Sequence, residues 1–245
     1  MDGCMPGCPN ATSSEAPVNG VDAVMLDTVL LDVDGTLVDS TYQHALAWQR
    51  AFAKHGLVVP MWRLHRAIGM GGDRLVTAVS DADVEARLGD ALREEHKQEY
   101  DQLLPEVSAL DGAPALLAAL HDRGWLVALA SSGKPEHTRA AIELLGGPGP
   151  LDVWTSADDA DTSKPAADIL QAALERVGGQ AAVCVGDSTY DVQAAAAAGW
   201  TCIAVRTGGF GVTELTDAGA RHVFDDVADL LDNLDDTPLA GPTAR

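Results

Sequence analysis

Four apolar runs that do not alternate constrain this chain more than anything else in it. VLLDV (29–33), WLVALAS (125–131), AAVCVG (181–186) and TCIAVR (201–206) put Val, Leu, Ile and Ala on both faces of an extended segment. A strand with one wet face alternates; a run apolar on both faces suits a parallel strand covered on both sides. LDVWTS (151–156) is a weaker candidate for a fifth. Between the runs, APALLAALHDRG, PEHTRAAIELLG, PAADILQAALERVG and VQAAAAAG carry helical periodicity, and each ends near a glycine, a common helix stop. Strand–helix alternation of this kind predicts an α/β fold built on a doubly wound parallel sheet.

One stretch breaks the alternation. Residues 41–110 hold no convincing strand and read as four helices: TYQHALAWQRAFAKHG, MWRLHRAIG, GDRLVTAVS and the charged DVEARLGDALREEHKQEYDQLL. The expected organisation is a Rossmann-like core, 25–40 and 111–235, with an all-helical cap over 41–110 inserted after the first strand. Residues 1–24 and 236–245, rich in Pro, Gly, Ser and Thr, are expected to be flexible tails.

Charge narrows the partners. Lys and Arg number 16 against 37 Asp and Glu, a formal net charge of -21, which argues against a nucleic-acid backbone or an anionic membrane. No apolar run is long enough to span a bilayer. Cys184 and Cys202 lie in strand-like runs and read as buried thiols, while Cys4 and Cys8 have no nearby histidine to complete a metal site. Residues 1–20 lack a basic segment followed by an apolar one, so a reduced, cytoplasmic protein is expected. The sequence sets no oligomeric state.

In open α/β sheets, ligands bind beyond the carboxyl ends of the strands. Here those ends are polar in a consistent way. Asp32, Asp34, Gly35 and Thr36 follow the first run, Ser131 and Ser132 the second, Lys164 the weak strand, and Asp187 and Asp191 the next. So many carboxylates repel unless a hard cation sits among them, and Mg2+ takes oxygen ligands of this kind. A carboxylate on a rigid strand end can attack phosphorus. A second carboxyl two residues on faces the same way and can pass a proton. A hydroxyl and an ammonium can hold the nonbridging oxygens. An EF-hand reading fails: counted from Asp32, the sixth residue is Leu37 and the twelfth Gln43, where Gly and an acid are needed.

DVDGTLVDS, ALASS, SKP and GDSTYD, in that order, resemble the four motifs of the haloacid dehalogenase superfamily, and the spacing is similar to that of its helical-cap subgroup, which includes phosphoglycolate phosphatase and β-phosphoglucomutase. The resemblance implies that Asp32 is the nucleophile and Asp34 the general acid/base. It implies Mg2+ held by Asp32, the backbone carbonyl of Asp34 and Asp187, with Asp191 in support. Ser131 and Lys164 would bind the phosphoryl group. Gly35, Thr36, His44 and Arg74 complete the expected substrate-binding set, Arg74 from the cap loop GMGGDR (69–74).

Simpler roles stand beside these. Ser131 could cap the helix after GKP, Lys164 could sit at a helix start before Pro165, and Asp191 could be a first-turn acid. The expected activity is a Mg2+-dependent phosphatase working through an aspartyl-phosphate on a small phosphorylated metabolite. A β-phosphoglucomutase-like reaction is the alternative, supported by Ser40, His44 and Trp48 at +8, +12 and +16 from Asp32. A 2-haloacid dehalogenase would need neither Asp34 nor Asp187. A non-catalytic binding protein on the same fold should have lost Asp32, Asp34 or Lys164.

Overall fold

The computed structural model describes Met1 and residues 24–159 and 163–244. Cys4, Cys8 and most of the expected N-terminal tail lie outside them. From Val24 the chain enters the sheet on β1 (Met25–Leu31) and leaves it along a short β2 (Val38–Asp39). Four helices follow: α1 (Thr41–Lys54), α2 (Met61–Ala67), α3 (Gly72–Val79) and α4 (Ala82–Leu103). It returns on β3 (Ser108–Ala109), antiparallel to β2, so the way out and the way back run side by side. The remainder alternates: α5 (Ala113–Asp122), β4 (Leu126–Ala130), α6 (Pro135–Leu144), β5 (Val153–Thr155), α7 (Asp168–Val177), β6 (Ala181–Gly186), α8 (Thr189–Ala197), β7 (Thr201–Val205), α9 (Val212–Ala218), β8 (His222–Phe224) and α10 (Val227–Asp232). A last strand, β9 (Thr243–Ala244), closes the described chain.

The sheet order is β5-β4-β1-β6-β7-β8, all parallel, with β9 antiparallel on the first residues of β1. The fold is a Rossmann-like α/β sheet with helices on both faces. β1 lies centrally because Val29, Leu30 and Leu31, all without exposed surface, face apolar layers on both sides. Burying each such side chain stabilises by about 2 kcal/mol. Cys184 and Cys202 are buried free thiols, side by side on β6 and β7. The helical segment has a core of its own, in which Trp48, Phe52, Leu64, Leu75 and Leu92 meet.

One expectation needs correction. The segment from 236 onward is not frayed over its described length. Leu239 is fully buried in the core, its carbonyl accepts from Trp125 Nε1 at 3.2 Å, and β9 adds backbone pairing at β1. One leucine among Pro, Gly and Thr found an apolar hole, which composition does not reveal. β8 also escaped the sequence reading: HVF is three residues long and sits among charged neighbours.

Candidate active site

The loop after β1 is built to present two carboxylates. Asp32 N donates to Val185 O at 2.9 Å, extending the ladder to β6, so Asp32 inherits the rigidity of the sheet. The chain then turns tightly: Leu37 N and Val38 N both reach the Val33 carbonyl, at 2.9 and 3.0 Å. Gly35 adopts φ +82°, and a Cβ there would stand 2.5 Å from both Asp187 Oδ2 and Thr41 Oγ1, so only glycine fits. Thr36 Oγ1 lies 3.3 Å from Asp32 Oδ2 and 3.1 Å from Asp187 Oδ1 and shares its proton between them.

Lys164 lies beneath this loop with 1% of its surface exposed. Its ammonium pairs with Asp32 and, at 2.7 Å, with Asp191 Oδ1. The other Asp191 oxygen accepts from Ser188 N at 3.0 Å and from Ser188 Oγ at 2.6 Å, a capping box that starts α8. Asp191 is thus both a first-turn acid and a partner of the buried lysine. Lys164 does not start a helix, as its Pro165 neighbour suggested; α7 begins at Asp168, and two ion pairs hold the ammonium instead.

Oxygens of Asp32, Asp187 and Asp191 all lie within 4.8 Å of one another. One ammonium does not balance three buried carboxylates. Burial, then the Asp191 charge, pushes Asp32 up to about 7 against the pull of Lys164. Burial and the charges of Asp191 and Asp32 push Asp187 well above the usual carboxylate range. An all-oxygen, electron-rich donor set of this kind fits Mg2+.

Asp34 meets a different environment. Its Oδ1 accepts from Ser40 Oγ at 2.6 Å and from His44 Nε2 at 3.1 Å. Burial would raise this carboxyl, but the His44 and Ser40 contacts override it and hold it at about 2. His44 belongs to a column of rings: it stacks on Tyr100 at 3.8 Å, its Nδ1 lies 3.2 Å from His96 Nε2, and His96 stacks on Trp48 at 4.3 Å. His96 and Tyr100, four apart on α4, had gone unread within a helix notable for its charge; their i, i+4 spacing was the available signal.

Ser131, 1% exposed at the end of β4, accepts from Gly133 N at 3.0 Å and Thr138 Oγ1 at 3.1 Å. Those contacts leave its own proton to be given to an incoming oxygen. A cavity of about 300 Å³ lies between sheet and cap helices, lined among others by Asp32, Asp34, His44, Trp48, His96 and Lys134. Lys164, Ser131, Asp187, Asp191, Gly35 and Thr36 stand behind that lining. Arg74 does not reach it. Leu75, Val76 and Val79 turn the apolar face of α3 inward and leave Arg74 exposed on the other side. Arg93 from α4 lines the cavity instead, bound to Gly72 O at 3.1 Å, Glu85 at 2.9 Å and Asp90 at 2.8 Å.

The haloacid dehalogenase-like hydrolase family matches residues 26–199. A phosphoglycolate phosphatase of Xylella fastidiosa is 33% identical over 177 residues, 70% of this chain and 76% of that protein. A hydrolase from Pseudomonas syringae superposes with a TM-score of 0.81 at 31% identity, over 86% of this chain and 98% of the other. A β-phosphoglucomutase from Clostridium difficile, 19% identical, shares the fold with a TM-score of 0.72 over 84% and 93% of the two chains. The chain belongs to the haloacid dehalogenase-like hydrolases. Within that family it is an enzyme of the phosphatase kind, a phosphoric monoester hydrolase.

Proposed function

We propose that the protein is a Mg2+-dependent phosphatase that removes the phosphoryl group of a small metabolite through an aspartyl-phosphate on Asp32. The observation that carries this reading is Asp32 itself: a carboxylate fixed by the β1–β6 ladder, paired with the buried Lys164 and within reach of Asp187. Asp32, Asp187 and the Asp34 backbone carbonyl would hold the metal. Bound there, Mg2+ would neutralise the carboxylates and the developing charge on the phosphoryl oxygens. Asp191, its oxygens engaged by Lys164 and Ser188, supports the site from behind.

Asp32 Oδ attacks phosphorus in line, and the bond to the leaving oxygen breaks. Asp34 gives that oxygen a proton; the dianion beside it raises the carboxyl's proton affinity on binding. Ser131 and Lys164 hold the nonbridging oxygens. In the second step Asp34, kept as a base by Ser40 and His44, takes a proton from water, which attacks the aspartyl-phosphate and frees Asp32.

The cavity volume suits a small leaving group. At its edge Lys134 is exposed, and Ser132 Oγ is buried without a protein partner. A leaving group ending in a carboxylate, such as 2-phosphoglycolate, would answer both. A mutase needs a free cation on the cap for a second phosphate, whereas Arg93 and Lys97, the cap cations at the cavity, are each tied to two carboxylates. The test is phosphate release from a panel of phosphomonoesters led by 2-phosphoglycolate, with and without Mg2+. Turnover should require the metal and favour small acids. Isomerisation of a sugar phosphate faster than phosphate release would overturn the reading.

A further inference from the structure

The cap helices touch the core at a place the mechanism above does not use. His65 Nε2 on α2 donates to the Gly208 carbonyl at 2.9 Å. Next to it, the Arg66 guanidinium stacks over Phe210 at 4.0 Å and pairs with Glu214 at 2.6 Å, while the Arg66 carbonyl accepts from Tyr190 at 2.8 Å. The loop that receives α2, TGGFG (207–211), is therefore gripped at several points. A Cβ on Gly209 would stand 2.7 Å from the His65 ring, so the two backbones meet as closely as glycine allows.

The other side of the same loop is the metal site. Gly208 packs so tightly on the Asp187 carboxylate that any side chain there would collide with it. Thr207 Oγ1 donates to the Gly35 carbonyl at 2.5 Å, and Gly35 forms a second wall of Asp187. Gly69, just past α2, abuts Ser188, and a Cβ on it would lie 2.7 Å from the Ser188 hydroxyl that binds Asp191. Docking of α2 thus presses on the residues that fix both acids of the GDSTYD segment.

We propose that His65 and Arg66 are positioning residues for Asp187: by docking α2 on the 207–211 loop and the first turn of α9 they hold Gly208 against that carboxylate, so that cap closure and Mg2+ binding strengthen each other. The inference rests on the metal reading above. With the latch released, the loop gains freedom and Asp187 loses its wall, so the binding-competent arrangement becomes a minor fraction of the population. If that fraction falls to about one tenth, apparent affinity falls about tenfold. Coupling is reciprocal, so Mg2+ must also favour the docked latch.

The test uses the full chain and Mg2+ alone, without substrate. Titration calorimetry of the His65→Ala, Arg66→Ala double variant should show Mg2+ bound about tenfold more weakly, with Arg66→Lys in between. Arg87→Ala, which removes an exposed pair on the outer face of α4, should bind as the unaltered protein does. In the unaltered protein, added Mg2+ should slow amide exchange in 65–69 and 207–214; this measurement decides alone should the double variant not fold. Equal Mg2+ affinity in the double variant, or exchange in both segments indifferent to Mg2+, overturns the inference and leaves the metal reading intact. No Mg2+ binding by the unaltered protein takes down the metal reading and this inference with it.

Discussion

Asp32 and Asp34 are two residues apart, and opposite halves of the molecule hold them. The sheet side holds Asp32 with charge: a buried ammonium shared with Asp191, an excess of negative groups, and a carboxyl pushed up to about 7. The cap side holds Asp34 with directed partners: a histidine propped in a stack of rings and a serine, which together hold the carboxyl at about 2. One loop thus delivers Asp32 to a cluster with an excess of negative charge and Asp34 to a pair of hydrogen-bond partners, which suits the nucleophile and proton-carrier roles proposed for them. The lesson is that neighbouring carboxylates acquire different chemistry from what faces them, not from the strand that bears them.

Asp32→Asn should break the sheet side most severely. Asn keeps the shape but cannot form the acyl-phosphate, so phosphate release should fall by about four orders of magnitude while far-UV circular dichroism stays unchanged. Lys164→Met acts on the same side through folding. It leaves Asp32 and Asp191 buried and unpaired, a change that costs about 3–5 kcal/mol and is read by urea denaturation.

The pH dependence of the metal-free protein separates the halves by sign. Asp32 and Asp187 bind protons more tightly folded than unfolded, so their contribution to stability grows as pH falls from about 7 toward the ordinary value of 3.8. Asp34 is shifted the other way; its contribution is complete above 3.8 and is lost as pH falls toward about 2. Metal-free protein should therefore melt about 5 °C higher near pH 5.5 than at pH 8, and saturating Mg2+ at pH 8 should close the gap. A melting temperature that rises steadily from pH 5.5 to 8 without metal would contradict the charge excess. The smallest effect belongs to the cap: His96→Leu keeps most of the stacking area but removes the bond to His44. It should lower kcat about two- to tenfold and leave Mg2+ affinity alone.

What could be read from the sequence divides along the same line. The four apolar runs and the polar residues at their ends were legible because strand position and strand-end chemistry are local consequences of a buried parallel sheet. Cap contacts were not, because a helix surface meets its partner at an angle that only packing decides. Arg74 looked like a cap ligand from its loop, yet the Leu75–Val79 face turned it to solvent, and the arginine at the cavity wall is Arg93 from the next helix, tied to Glu85 and Asp90. The ring column needed α1 and α4 to lie side by side before His44 and His96 could meet. Leu239 and β9 were hidden for a similar reason, since two residues of antiparallel pairing leave almost no local pattern.

The central place of β1 has a consequence for synthesis on the ribosome. β1 emerges early, but its neighbours are β4, from Leu126, and β6, from Ala181. The four helices between 41 and 103 share a core among themselves, while MLDTVLL stays without its parallel neighbours until both have emerged. A nascent chain that has exposed Leu103 but not yet Leu126 would carry all four helices and an open β1. It is at that stage that a chaperone recognising short apolar peptides would find its strongest target in this protein.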